Sequence, residues 1–341
     1  MDGALAVVKP FRAVRYDEEA AGPLASLVAP PYDVISPAER DEYLARSPYN
    51  VVHLTLPDSE EEAARRWREW LDSGVLVREE LEQVWELEQD YVGPDGVART
   101  RRGVVASLTP EPYETGAVLP HERTHAGPKE GRLRLLHAVG AQLEPIFLLY
   151  DGPPPVTFAG EPEVEVDGTR LRRATPVDVE AFFADTQLLI ADGHHRYETA
   201  VDAGLDIPVV LVSTSDPGLT IFPTHRVAGR LGDVGGTEIE RPGDELPGVV
   251  LYRGGRYLLL EGEGLDVELV ELAGPEEVTY TPRREEAEAA VDRGDAEGAF
   301  LVRPTPIEAV FERARHGEML PQKTTYFYPK LVSGLLFHPL D

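Results

Sequence analysis

The chain reads as an α/β protein built on a mixed sheet, with α+β as the nearest variant, and three observations carry that reading. A buried strand, a glycine-bearing loop, a helix and a second buried strand follow one another over residues 187–212, a β–α–β pattern. Helix-like and strand-like segments alternate on both sides of that unit. The composition, 42% apolar and 28% charged, is that of a chain with a real core. At roughly 150 residues per domain, the length suggests about two: a core over 1–235 and an additional α/β lobe over 236–341, with a soft boundary near 230–245.

The elements follow in order. Val28 to Ile35 is a loop, because Pro30 and Pro31 forbid a helix. Ser36, Pro37 and Glu39 form a capping box for a helix through about Arg46. A second helix spans Ser59 to Ser73: Trp67, Trp70 and Leu71 share one face, Glu60 to Glu62 favour its positive end, and Gly74 stops it. A short helix is expected near Val77 to Leu81. Val84 to Val92 and Val97 to Leu108 then flank Gly93-Pro94-Asp95-Gly96 as a hairpin. Tyr113 to Pro128 reads as irregular, followed by an amphipathic helix with Leu133, Leu136, His137 and Gly140 at helical spacing and a buried strand from Ile146 to Tyr150.

A hairpin over Val164 to Arg172 leads to a helix from Val177 to about Ala184, then to the strand Gln187–Ala191, the loop Asp192-Gly193, a helix from about His194 to Ala203, and the strand Ile207–Val212. Gly229 to Pro247, rich in glycine and acids, reads as a connection. Beyond it come a hairpin around Gly254-Gly255, a helix over Arg283 to Arg293, a strand over Gly298 to Val302 and a helix over Ile307 to His316. The aromatic tail, Met319 to Asp341, is expected to pack back on the body.

Lys and Arg number 33 against 61 Asp and Glu, a net charge of −28, which argues against nucleic-acid binding because the field repels a polyanion. No cysteine is present, which removes disulfides, thiolate catalysis and cysteine-held metals. No apolar run reaches 18 residues and the N-terminus lacks a signal-peptide pattern, so the expectation is a cytoplasmic protein without membrane contact. Oligomeric state is not legible, and a homodimer stays open. P-loop, dinucleotide-fold and hydrolase-elbow motifs do not occur.

The richest chemistry lies at Asp192, Gly193, His194, His195 and Arg196. A strand there gives way to a helix, which exposes unpaired amides at the positive end of a helix dipole, while imidazoles and a guanidinium add donors suited to phosphate. His121-Glu122-Arg123-Thr124-His125 matches the zinc pattern H-E-x-x-H, although Pro120 before it and Ala126-Gly127-Pro128 after it leave little room for a zinc-binding helix. In the tail, Lys323, Thr324 and Thr325 precede Tyr326, Phe327 and Tyr328, so that a cation and hydroxyls could meet a phosphate beside aromatic walls. Tyr32 and Asp33 place an acid in an apolar loop, with an Asx-type turn as the plain alternative.

Leu188 to Tyr197, Ala29 to Ile35, Pro120-His121-Glu122 and Lys323 to Lys330 together resemble the domain-of-unknown-function 1015 family, over nearly the whole chain. More distantly, Gly193, His194, His195 and Arg196 are similar to the loop of the ParB/sulfiredoxin superfamily, whose members include a CTP-hydrolysing clamp, a reductase that phosphorylates a sulfinate, and kinases of free serine. That resemblance implies a loop that holds nucleotide phosphates. This chain lacks the cysteine of sulfiredoxin, and its charge disfavours ParB-like DNA binding.

The leading expectation is therefore a nucleotide-dependent kinase for a small hydroxylated metabolite, with free serine as one candidate acceptor. In it, Asp192 to Arg196 with Lys323, Thr324 and Thr325 bind ATP, ADP or another nucleotide, and His121 helps neutralise the transferring group. Asp33 or Glu122 accepts the hydroxyl proton, Tyr32, Arg123, Tyr326 and Tyr328 line the substrate pocket, and Mg²⁺ bridges phosphate to carboxylate. Two alternatives stand beside it: a non-catalytic nucleotide or phosphometabolite sensor using the same loop, and a metal-dependent hydrolase using His121, Glu122 and His125.

Overall fold

A computed structural model describes residues 6–122, 126–175 and 177–340. The protein is α/β, with a nine-stranded mixed sheet and a six-stranded sheet. In the larger sheet the path runs 118–119, 188–192, 146–150, 207–213, 98–109, 85–92, 169–173, 164–166, and Val7–Lys9 pairs with the far end of 98–109. Apolar residues alternate along its central strands. Ile146, Leu148, Ile190, Val209 and Leu211 fall in one buried layer, and Phe147, Leu149, Leu189, Val210 and Val212 in the other. A strand has period two, so an unbroken apolar run is buried on both faces and builds two cores at once.

Both layers are roofed by elements with legible ends. Ser36 caps the helix Pro37–Arg46, and Glu39 returns a bond to the Ser36 amide at 2.8 Å, completing the capping box. Ser59 caps the helix Glu60–Asp72, whose Trp67 and Trp70 face the core. The tail returns to the same layer: Phe337 is fully buried and meets Trp67 edge to face at 5.4 Å. On the opposite layer lie Val179 and Phe183 of one short helix and Tyr197 and Ala200 of the helix His194–Ala203.

The six-stranded sheet, ordered 237–239, 256–260, 249–253, 298–301, 225–230, 276–281, is antiparallel throughout. Its first strand, His225–Arg230, comes before residue 235, and the segments 326–327 and 338–339 beyond it pair with strands 221–222 and 141–142. Asp266–Leu272 places Val270 in the core on one side and Arg284–Asp292 places Ala287 in the core on the other.

Four segments differ from expectation. Residues 76–78 form a strand against Val14–Tyr16 instead of a helix near 77–81, because so short a helix gains less than pairing an edge and burying Leu76. The helix Ala126–Val139 begins inside the stretch expected to be irregular, since a proline in the first helical turn has no amide to lose. Thr237–Ile239 adds a strand within the expected connection. The unit at 188–213 keeps its strand–helix–strand order, yet its strands are antiparallel to each other. Ile146–Tyr150 lies between them, antiparallel to 188–192 and parallel to 207–213. The helix therefore returns the chain to the same end of the strands instead of making a β–α–β crossover.

Candidate functional site

The strand Leu188–Asp192 ends at Gly193, which takes φ 99° and ψ 28°. A side chain there would be strained, and its Cβ would come within 2.7 Å of Ile146 Cγ2. The chain turns at once into the helix His194–Ala203, whose first turn has no side-chain cap, so its orphan amides keep their capacity for an outside acceptor. Ala191 to Arg196 line a cleft of about 340 Å³. Three segments remote in sequence complete it: Tyr32 and Asp33; Glu122; and Gln322, Lys323, Thr325, Phe327 and Lys330.

Asp192 is the hub of the inner wall. Its Oδ1 accepts from the Lys330 ammonium and its Oδ2 from Arg196 Nη2 at 3.0 Å. Burial works to raise this carboxyl, but the two cations outweigh it and hold Asp192 below the usual carboxylate range. Arg196 also donates to the Pro145 carbonyl, so its planar fork is engaged inside the wall.

His121 stands directly behind the cleft and is 1% exposed. Its Nδ1 lies 2.7 Å from the Ile190 carbonyl, which can only accept, so Nδ1 carries the proton. Burial pushes its pKa down to about 4, so the ring is neutral and Nε2 accepts from the Thr325 hydroxyl at 2.9 Å. Both nitrogens are thereby used, which leaves His121 no lone pair for zinc. His194 stacks edge-on at 4.9 Å, accepts from the His121 amide through Nε2, and is held well below its usual pKa by burial and then by His121.

Glu122 moves in the opposite direction from Asp192. Burial raises its carboxyl, and the Lys323 ammonium and backbone N–H that face it offset only part of that. On the outer side, the Tyr32 amide donates to Glu144 at 3.1 Å, Ser333 Oγ donates to the same carboxylate oxygen, and the Arg132 guanidinium lies 3.3 Å over the Tyr32 ring.

Of the residues singled out in the sequence, Tyr32, Asp33, Glu122, Asp192, Gly193, His194, His195, Arg196, Lys323 and Thr325 line this one cleft. His121 supports it from behind. Thr324 is turned away, its hydroxyl donating to the Pro321 carbonyl at 2.6 Å. Tyr326 pairs across from Phe222, and Tyr328 packs edge-on against Tyr91 and Phe222, so these two rings dock the tail rather than wall the pocket. Arg123 and His125 lie outside the described residues.

Phe327, one of the aromatic walls expected from the sequence, does line the cleft. Sequence reasoning left out Lys330, Gln322 and Glu144. The first two sit in the tail block already marked by Lys323. Glu144 carried no signal, because its partners are distant in sequence. Among the described residues, no group of three or more His, Asp or Glu converges so as to hold a metal ion, so no resident metal site is assigned. Nor is any described helix long and apolar enough to cross a membrane.

Comparison with known proteins adds the following. No curated protein matches the chain. A free serine kinase in complex with AMP superposes at a TM-score of 0.38 and 20% identity, covering 62% of this chain and 83% of that one. A conserved hypothetical protein from Pyrococcus furiosus gives 0.38 at 19% over 64% and 92%. SbnI with a C-terminal truncation, from Staphylococcus aureus, gives 0.42 at 12% over 66% and 84%. At these scores the likeness is partial. Residues 8–240 match the family described as protein of unknown function DUF1015, and with more than half its length in that match the chain belongs to this family.

Proposed function

We propose that the cleft binds the phosphates of a nucleotide such as ATP or ADP and transfers a phosphoryl group to a small hydroxylated metabolite, with free serine the first acceptor to try. The observation that carries this reading is the meeting of an uncapped helix N-terminus behind a left-handed glycine with Lys323 and the Glu122 carboxyl in one cleft. The first-turn amides and the Lys323 ammonium hold the donor phosphates. Lys330 and Arg196 keep Asp192 ionised and fixed behind them.

Glu122 is the better base of the two carboxyls considered. It is pushed up by burial, and a base is most effective when its pKa lies near the working pH. As the acceptor oxygen bonds to phosphorus, the bond to the leaving phosphate oxygen breaks and the hydroxyl proton passes to Glu122. His121, neutral and committed at both nitrogens, fixes the Thr325 hydroxyl. Any Mg²⁺ would belong to the nucleotide substrate and supply charge neutralisation at its phosphates, since no metal site is assigned among the described residues.

Phosphorus NMR of the protein with ATP or ADP and a panel of hydroxylated amino acids and sugars tests the proposal. A new phosphomonoester is expected. Nucleotide binding without transfer or hydrolysis would favour a sensor, and no binding would sink both readings.

A further inference from the structure

Arg226 sits on His225–Arg230, in the six-stranded sheet, and is 4% exposed. Among the described residues its hydrogen bonds go to main-chain carbonyls: Thr224, Gln322 at 3.4 Å and Lys323 at 3.2 Å. The last two belong to the segment that brings Lys323 into the cleft. Lys323 itself has φ 56°, a left-handed conformation costly for a residue with a side chain and kept only where its surroundings enforce it. Thr305 supplies a further restraint, its hydroxyl donating to the Thr324 carbonyl at 3.1 Å.

One peptide plane links this anchor to the site. In a trans peptide the carbonyl and the N–H point in opposite directions. The Gln322–Lys323 peptide presents its carbonyl to Arg226 and its N–H to the Glu122 carboxylate. The main chain beside Glu122 is tied to the same stretch, since Leu320 donates to the His121 carbonyl at 2.8 Å.

We propose that Arg226 is a positioning residue of the cleft, reaching from the C-terminal sheet to hold the Gln322–Lys323 peptide so that its N–H stays on Glu122 and Lys323 stays in the cleft lining. Its consequence for catalysis rests on the phosphoryl-transfer reading; its consequence for Glu122 does not. Among the described residues, the charged groups that act on Glu122 are Lys323 and Lys330 of the tail segment, Asp192 at the strand end, and Arg226 from the second sheet. Loss of Arg226 removes one cation and loosens the N–H, and both changes disfavour the carboxylate, so Glu122 should titrate at higher pH.

The test is a carbon-13 carboxyl NMR titration of full-length protein labelled at glutamate, with the Glu122 signal assigned through Glu122→Gln. Arg226→Met should move the Glu122 midpoint upward. Arg226→Lys, which keeps the charge and loses the fork, should move it upward by less. Where transfer is measured, the acid limb of the kcat profile should move the same way. An unmoved midpoint in folded Arg226→Met overturns the proposal; should that variant fail to fold, an unmoved midpoint in Arg226→Lys does so. Wild-type protein that transfers nothing while the variants shift Glu122 removes the phosphotransfer reading and leaves the positioning role standing.

Discussion

Glu122 and Asp192 share a cleft and are driven apart: burial lifts the first, and Lys330 with Arg196 overcome burial to lower the second. That separation assigns one as the proton acceptor and the other as a fixed anion. Glu122→Gln should cut phosphoryl transfer by about 100-fold or more while leaving ADP affinity nearly unchanged, read by kinetics and calorimetric titration; equal transfer in the variant would return the role to Asp33. Asp192→Asn should instead cost about 1–3 kcal/mol at pH 7 by leaving two partly buried cations without their carboxylate. A carboxyl lowered by folding contributes stability above its unfolded pKa, and that contribution is lost as pH falls, so the gap between variant and wild type should narrow in acid. At this scale the sequence was legible where chemistry is written locally, as in Asp192-Gly193-His194-His195-Arg196. It was silent where a residue's meaning is a distant partner, as for Glu144 with Tyr32 and Ser333, or Lys330 with Asp192.

At the scale of elements, helix-end chemistry was read correctly because it is local: the Ser36–Glu39 capping box, and Glu60 to Glu62 at the positive end of the second helix. Strand direction was not, because the order strand–helix–strand does not say that Ile146–Tyr150 will insert between the two strands. Gly193 is the element-scale pivot. Gly193→Ala puts a Cβ at positive φ against Ile146, so it should destabilise the protein by about 1–3 kcal/mol. It should also weaken ADP binding, because the helix amides can no longer keep their approach. Urea unfolding and titration of the same variant check both effects; unchanged affinity would show that the turn matters to the fold alone.

Across the whole molecule, the two apolar layers of the larger sheet were legible as runs of buried strand, whereas the second sheet was only partly so. Its edge strand, Glu276–Thr281, is largely exposed and lacks an apolar pattern. Buried imidazoles add a global pH response. His121 and His225 are pushed down to about 4 by burial, and His194 lies well below its usual value for the same reason. The unfolded chain then binds more protons, so stability present above about pH 6.5 should be lost as pH falls toward 4, by about 3 kcal/mol for each of His121 and His225. Urea unfolding from pH 7.5 to 4.5 should show this decline, and His225→Gln should make it shallower; a flat profile would contradict it.

The most direct measurement is calorimetric titration of the full-length protein with ADP, beside the Lys323→Met variant. Wild type should bind one ADP per chain and gain about 2.7 kcal/mol of stability at 100 times its Kd. Lys323→Met should bind at least 10-fold more weakly with an unchanged melting temperature. Absence of binding by wild type, or equal binding by the variant, would contradict the assignment of this cleft as a nucleotide-phosphate site.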